Sequence, residues 1–342
     1  MPVTFGLDTF GDTTIQPDGR AKPHDAVLRD VVAEGELADR VGIDHFSVGE
    51  HHRTDFAVSA PEIVLAALAG RTERITLGSA VTVLSSDDPI RVFQRFSTLA
   101  AVSNGRAEVT LGRGSFTESF PLFGLDLRDY EVLFEEKLDL FVRLLRDERV
   151  TWSGTTRPPL RDQGVYPRLP ESGLPAWVGV GGSPQSIVRA VSHDLPVMLA
   201  IIGGSPSRFA PFADLYRRAW AQAGKEAKPL GVHSPGFVAE TDEKARDLLW
   251  PHFRDMMNRI GRERGWSPMS RAQFDQEATS GALPVGSPET VARRVAETVR
   301  SLGLDRFDMK YSHGTLPHEA AMEGIRLYGE KVVPMVREML RD

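Results

Sequence analysis

Short apolar runs rich in Val, Ile, Leu and Phe alternate along this chain with longer stretches whose apolar residues recur every three or four positions. The runs predict strands over 3–10, 45–51, 75–84, 107–112, 176–180, 196–202, 230–239 and 306–311. The longer stretches predict helices over 26–41, 61–70, 90–103, 130–146, 186–192, 208–223, 242–264, 288–302 and 317–340. The stripe in 130–146 is Leu133, Phe134, Leu138, Phe141 and Leu145. Pro61 suits a first helical turn, where a missing N–H costs nothing, and Ser287 is a candidate N-cap. Two stretches break the rhythm, 149–175 and 265–284, and read as irregular insertions rich in Pro, Gly and Arg or lacking a clear period. Eight strands, each followed by a helix, predict an α/β fold: a (β/α)8 TIM barrel with insertions, spanning 1–342 as one domain.

Composition narrows the function classes. With 342 residues the chain can bury a large core, and 41% hydrophobic with 26% charged residues is ordinary for a globular protein. A net charge of −6 without a long basic run argues against a nucleic-acid partner. The absence of cysteine excludes disulfides, thiolate metal sites and Cys nucleophiles. No apolar run reaches the roughly 20 residues needed to span a bilayer. The opening Met1-Pro2-Val3-Thr4-Phe5 has neither the basic region nor the apolar core of a secretory signal. The expected location is cytoplasmic, with no membrane partner.

Candidate chemistry gathers where strands end, which in a βα chain is where ligands bind. The second strand runs into Glu50-His51-His52. An acid and two imidazoles there are costly to bury, so a catalytic or ligand-binding role for one histidine, with Glu50 orienting it, competes with a purely structural one. Successive strand residues point to opposite faces, which counts against both histidines holding one metal. The third strand ends in small residues, Gly78-Ser79-Ala80-Val81-Thr82, leaving room for a flat ring. The fourth ends in Leu111-Gly112-Arg113-Gly114-Ser115: glycines allow close backbone approach, and the Arg fork suits phosphate, although ordinary turns share this pattern. The fifth strand meets its helix at Gly181-Gly182-Ser183-Pro184-Gln185-Ser186, either an anion site at a helix start or a simple capped turn. His233 and His313 fall at the ends of strands seven and eight and face either a ligand or a loop.

In order and spacing, several pieces together resemble the luciferase-like flavin-dependent monooxygenase family of the bacterial luciferase superfamily. They are Val48-Gly49-Glu50-His51-His52, the run 70–78, the run 105–114, Phe123-Gly124, Gly181-Gly182-Ser183-Pro184, Leu195-Pro196 and the run 284–289. The resemblance implies a TIM barrel holding FMN at the carboxyl ends of its strands. It makes His51 the catalytic histidine near the flavin reaction centre and Glu50 the acid before it. It places Ser79, Ala80 and Val81 beside the flavin ring, with a non-prolyl cis peptide at Ala80-Val81. It makes Gly112 a ring neighbour, Arg113 a phosphate ligand, and Gly181, Gly182, Ser183 and Ser186 the second phosphate element. Three departures stand out: Gly112 replaces a reactive cysteine of luciferase, Ala200 a pocket tryptophan, and Glu131 an arginine that assists phosphate binding.

The resemblance thus implies an oxidoreductase, a monooxygenase that activates O2 on reduced FMN to oxygenate a small organic substrate. NAD(P)H is the expected electron source, used on this chain or through a separate flavin reductase. It also implies a homodimer, with the apolar helix around Ile63-Val64-Leu65-Ala66-Ala67-Leu68-Ala69 as a seam. Rival readings are an F420-dependent hydride-transfer enzyme of the same superfamily, a non-catalytic flavin-binding protein, and a metal-dependent barrel hydrolase. Substrate choice is expected to reside in the two insertions.

Overall fold

The computed structural model describes residues 2–16, 18–114 and 116–341. Met1 and Ser115, the last residue of the glycine–arginine turn, lie outside them. The chain runs β1 (Thr4–Thr9), α1 (His24–Arg40), β2 (His45–Val48), α2 (Pro61–Ala69), β3 (Thr76–Ser79), β4 (Thr82–Val83), α3 (Pro89–Val102), β5 (Val109–Gly112), α4 (Ser119–Leu122) and α5 (Tyr130–Arg146). It continues β6 (Arg149–Trp152), β7 (Leu160–Gly164), β8 (Ala176–Val180), α6 (Pro184–Ser192), β9 (Val197–Ala200), α7 (Ala210–Gln222), β10 (Leu230–Pro235) and β11 (Phe237–Val238). Then come α8 (Asp242–Arg264), α9 (Arg271–Ser280), β12 (Val285–Gly286), α10 (Pro288–Leu302), β13 (Arg306–Lys310), α11 (His318–Leu327) and α12 (Val333–Met339).

Nine strands form one parallel sheet in the order β3-β2-β1-β13-β10-β9-β8-β5-β4. β3 and β4 are halves of the single strand expected over 75–84, parted at Ala80-Val81, whose peptide bond is cis. The nine strands therefore fill eight positions of a barrel. Leu77 N–H donates to Arg106 O at 2.7 Å and Glu108 N–H to Leu77 O at 3.0 Å, which ties β3 to the residues before β5. The helices pack outside and cover apolar faces such as Val92, Phe93 and Phe96 of α3.

The amino-terminal end of the barrel is filled by charge. Arg306, 2% exposed, binds Asp308 through Nε (2.8 Å) and Nη2 (2.6 Å), and Glu108 through Nη1 (2.6 Å). His45 Nδ1 lies 3.5 Å from the same Glu108 carboxylate. Burial alone would raise Glu108, but Arg306 and His45 outweigh it and hold the carboxyl at about 2. Asp308, equally buried, is pushed up by desolvation against the pull of Arg306.

Four stretches depart from the expected pattern. The insertion 149–175 carries an antiparallel hairpin, β6 with β7. The insertion 265–284 holds α9, closed at its start by reciprocal Ser270 and Gln273 hydrogen bonds. The strand expected over 230–239 breaks at Gly236: β10 stays in the barrel while β11 leaves it to pair with β12. A Cβ at Gly236 would lie 2.6 Å from the Met309 sulfur and 3.1 Å from Pro284 O, so a side chain there would force the packing at that exit to shift. The final helix expected over 317–340 is interrupted by a wide π-type turn at Tyr328–Val332. No described helix is long and apolar enough to cross a membrane.

Candidate active site at the carboxyl end of the barrel

β2, β3, β5 and β8 are parallel neighbours around the ring, so the residues that follow them share one rim. Backbone bonds knit that rim together. Ala80 N–H donates to Val48 O (3.0 Å), Glu50 N–H to Val81 O (3.2 Å) and His51 N–H to Val58 O (2.9 Å). β2 ends at Val48, so Glu50 and His51 stand beyond the strand instead of within its last turn. Val81 enters the barrel over two glycines. A Cβ on Gly112 would lie 2.5 Å from it and one on Gly179 2.9 Å. The glycine at 112 is thus required by the close approach of Val81.

His51 sits in an aromatic cage. Its ring centroid is 4.6 Å from Phe10, 4.6 Å from Phe56 and 5.1 Å from Phe116. Burial among these rings pushes the imidazole down to about 3, with Asp12 opposing and Lys310 adding to the shift. His51 is therefore neutral at neutral pH. Glu50 does not orient it, contrary to expectation. Glu50 Oε1 pairs with His52 Nε2 at 2.9 Å, and Oε2 accepts the Val83 N–H at 2.8 Å. The reason is geometric: the next side chain points away, and the one after it returns to the carboxylate. His52 packs edge-on against Phe123 at 5.1 Å, with neighbours distinct from those of His51.

The other expected residues divide into those turned outward and those already satisfied. The Ser79 hydroxyl donates to Thr110 O (3.2 Å) and accepts from Thr82 Oγ1 (2.9 Å) and the Thr110 N–H (3.2 Å), so only its backbone faces outward chemistry. Ala80 and Val81 are half-buried at the rim. Arg113 Nη2 donates to Ser186 Oγ at 3.2 Å, which joins the β5 turn to the start of α6. Gly182 adopts φ +112°, and a Cβ at Gly181 would meet no atom within 4 Å, leaving an open cradle before the helix. Ser183 is the N-cap residue of α6, but its hydroxyl donates to Gln185 Oε1 at 3.0 Å. Phe116 and Arg113 belong to one loop, so the contacts His51–Phe116 and Arg113–Ser186 place the imidazole, the cation and the glycine turn on one side of the barrel. That rim fits a phosphorylated planar cofactor: a cation, a hydroxyl and the start of α6 at one end, small residues and a neutral imidazole at the other.

Several rim contacts have no local sequence signal, the partner of the strand-end His233 among them. Asp8 Oδ2 binds His233 Nδ1 at 2.8 Å, and the His233 ring stacks on Phe10 at 6.0 Å. Buried Lys310 donates to Asp12 at 2.9 Å and lies 4.8 Å over the Phe10 ring. Arg53 lies 4.4 Å over Phe116 and binds Glu118, Asp55 and Glu263. Apart from Arg53–Asp55, two positions apart, each pair unites residues more than 60 positions apart, which no periodicity reveals. His313 is fully buried, with Nε2 donating to Gly236 O at 3.0 Å, so it faces protein. Among the described residues no group of three His, Asp or Glu side chains is placed to hold a metal ion.

Comparison with known proteins agrees with this architecture. The family model described as luciferase-like monooxygenase matches residues 8–306. A limonene 1,2-monooxygenase of Rhodococcus erythropolis is 38% identical over 312 residues, covering 87% of this chain and 79% of that protein. Monooxygenase RslO1 of Streptomyces bottropensis superposes with a TM-score of 0.82 at 23% identity, covering 97% of this chain and 99% of the other. The oxygenating constituent of 3,6-diketocamphane monooxygenase from Pseudomonas putida, a type II Baeyer-Villiger monooxygenase in complex with FMN, superposes with a TM-score of 0.77 at 18% identity, covering 98% and 99%. The barrel is theirs, and the match of both family model and close relative makes the assignment: this chain is an oxidoreductase of the luciferase-like monooxygenase family.

Proposed function

We propose that this chain is an FMN-dependent monooxygenase that oxygenates a small organic substrate with O2. The observation that carries the reading is the Arg113–Ser186 contact at 3.2 Å, on the rim that also holds the caged His51. The FMN in the diketocamphane enzyme and the limonene named for the Rhodococcus relative support this cofactor and substrate class. Reduced FMN, when bound, supplies the electrons that activate dioxygen.

The chain's own residues bind, orient and dry the site. Arg113, Ser186 and the Gly181–Gly182–Ser183 turn hold the phosphate. Gly112 and the backbone of Ser79, Ala80 and Val81 leave a flat floor for the ring. Phe10, Phe56 and Phe116 exclude water around His51, which strengthens polar contacts there. His51, neutral, accepts or donates one hydrogen bond at the reacting centre and exchanges a proton there. Glu50 holds the floor in place through Val83. Electrons come from NAD(P)H, on this chain or through a separate reductase. The exposed apolar face of α2, with Ile63 66% exposed beside exposed Ala66 and Ala67, is the homodimer seam.

The test is a titration of purified protein with FMN and, separately, F420, followed by absorbance on adding NADH or NADPH in air. The expected result is FMN binding and oxygen consumption that His51→Ala slows by about a hundredfold or more without abolishing FMN binding. Binding of F420 in place of FMN, or a His51→Ala variant as fast as the parent, overturns the reading.

A further inference from the structure

Arg113 does not stand alone. On the first turns of α5, Tyr130 and Phe134 are one turn apart, and so are Glu131 and Glu135. The Arg113 guanidinium lies 5.1 Å from the Tyr130 ring centre, and that of Arg189 lies 5.6 Å from Phe134. Glu131 bridges the two cations: one carboxylate oxygen binds Arg113, the other binds Arg189 Nη2 at 3.2 Å. Glu135 takes Arg189 Nε. Arg189 follows Ser186, the Arg113 partner, by three residues on α6, so both face the same groove. Arg113 is 22% exposed and Arg189 11%, whereas Glu131 is 64% exposed. Arg189 Nη1 is buried with no hydrogen-bond partner among the described residues.

Two guanidiniums within the span of one carboxylate repel each other, and an anion must sit between them. Here a side chain of the protein fills that place from the solvent side. Its exposure makes release cheap, since the carboxylate returns to water with little desolvation to recover. A phosphate dianion entering from the α6 start would meet both cations, the Ser186 hydroxyl and the helix N–H groups at once.

We propose that Arg113 and Arg189 form a two-cation clamp for the terminal phosphate of the cofactor, and that Glu131 is its built-in counter-ion, displaced when phosphate enters. The inference rests on the flavin reading above and deepens it. Phosphate binding is then an exchange of anions, weaker than binding to a bare clamp. Weak, reversible retention suits a flavin delivered reduced from elsewhere and released after turnover.

The experiment compares FMN with riboflavin, which lacks the phosphate, by flavin fluorescence titration of the whole chain. Glu131→Gln is expected to tighten FMN about three- to tenfold, and Arg189→Gln to weaken it about tenfold, with riboflavin unchanged in both. Arg189→Lys, which keeps the charge, recovers part of the loss and guards against misfolding of the Gln variant. Inorganic phosphate is the second probe: it raises the melting temperature of the parent, more so in Glu131→Gln and less in Arg189→Gln. FMN and riboflavin affinities that move together, or a Glu131→Gln variant with equal or weaker FMN binding, overturn the clamp while leaving the flavin reading intact. If no flavin binds but the phosphate effect follows the two substitutions, the clamp stands and the flavin reading falls.

Discussion

The Glu50 carboxylate reaches past His51 to bind His52 at 2.9 Å and anchors the Val83 N–H at 2.8 Å with its other oxygen. One 8% exposed side chain thus ties the segment after β2 to β4. Replacing it with Ala leaves a buried N–H and an imidazole without their acceptor. Glu50→Ala is expected to cost about 1–3 kcal/mol of stability and Glu50→Gln less, because the amide oxygen still accepts from Val83. Urea denaturation measures both. The His51 cage, which Glu50 does not touch, should be preserved, and FMN affinity of the Gln variant should stay near the parent's. A Gln variant as unstable as the Ala variant would show that charge, and not the hydrogen bond, is what Glu50 contributes.

Arg306 presents the opposite case, a buried cation shared by two buried carboxylates. Arg306→Met keeps the volume and removes the charge, stranding Glu108 and Asp308 in the barrel. The expected loss is about 3–5 kcal/mol by denaturant unfolding, since an unpaired buried charge is costlier than the pair is stabilising. A triple change to Arg306→Met, Glu108→Gln and Asp308→Asn should recover much of that loss. If the single variant is as stable as the parent, water or another cation must reach the cluster.

What local pattern could reveal was the scaffold. The ranges of α5, α8, α10 and β8 follow directly from apolar spacing and end signals, such as the Ser287 hydroxyl that accepts from Thr290 N–H and the left-handed Gly265 after α8. α9 was legible in principle from Ser270 and Gln273, but only Phe274 and Ala278 are buried on it, too thin a stripe to stand out. In the site, the glycine turns and Glu50-His51 were visible because they interrupt strands. Their partners were not: Arg306 with Glu108, Asp8 with His233, and Arg189 with Glu131 are joined only by the closure of the barrel. Periodicity carries no information on which distant charge will face which.

His313 ties stability to pH. Burial pushes its imidazole down to about 3 from the ordinary 6.5. The unfolded chain therefore takes up a proton first on acidification. Stability is full above about pH 6.5 and falls as pH drops toward 3, by about 1.4 kcal/mol per pH unit for this group. His51, shifted the same way, steepens the fall. In His313→Gln, whose amide N–H can still reach Gly236 O, the slope across pH 6.5 to 4 should be shallower by about that amount. Unfolding free energies from urea titrations at several pH values test it, and an unchanged slope would mean that His313 is not protonated on unfolding in this range.

Arg53 acts as a clasp over the site. It follows His52 directly, and its guanidinium lies over Phe116 at 4.4 Å while binding Glu118 on the same loop, Asp55 on its own, and Glu263 near the end of α8 at 2.9 Å. Phe116 in turn packs on His51. The segments after β2 and β5 and the end of α8 are thus held over the imidazole by one cation with three acidic partners. Glu263 is exposed and Glu118 half-buried, and the buried Asp55 keeps a second cation, Arg259 at 3.3 Å, so the loss of Arg53 costs little global stability. Its effect is local: in Arg53→Met the loop around Phe116 loses the nearer of the two guanidiniums over its ring, keeping Arg264 at 5.2 Å, and loses the ion pair through Glu118. Limited proteolysis within 113–124 is expected to speed up about threefold or more while the melting temperature moves little. Water then gains access to His51, and in the presence of FMN and NAD(P)H a larger share of the oxygen consumed should appear as hydrogen peroxide. Unchanged cleavage in that loop would show that Phe116 is held by its aromatic neighbours and Arg264 without Arg53, and that Arg53 serves only to join α8 to the barrel.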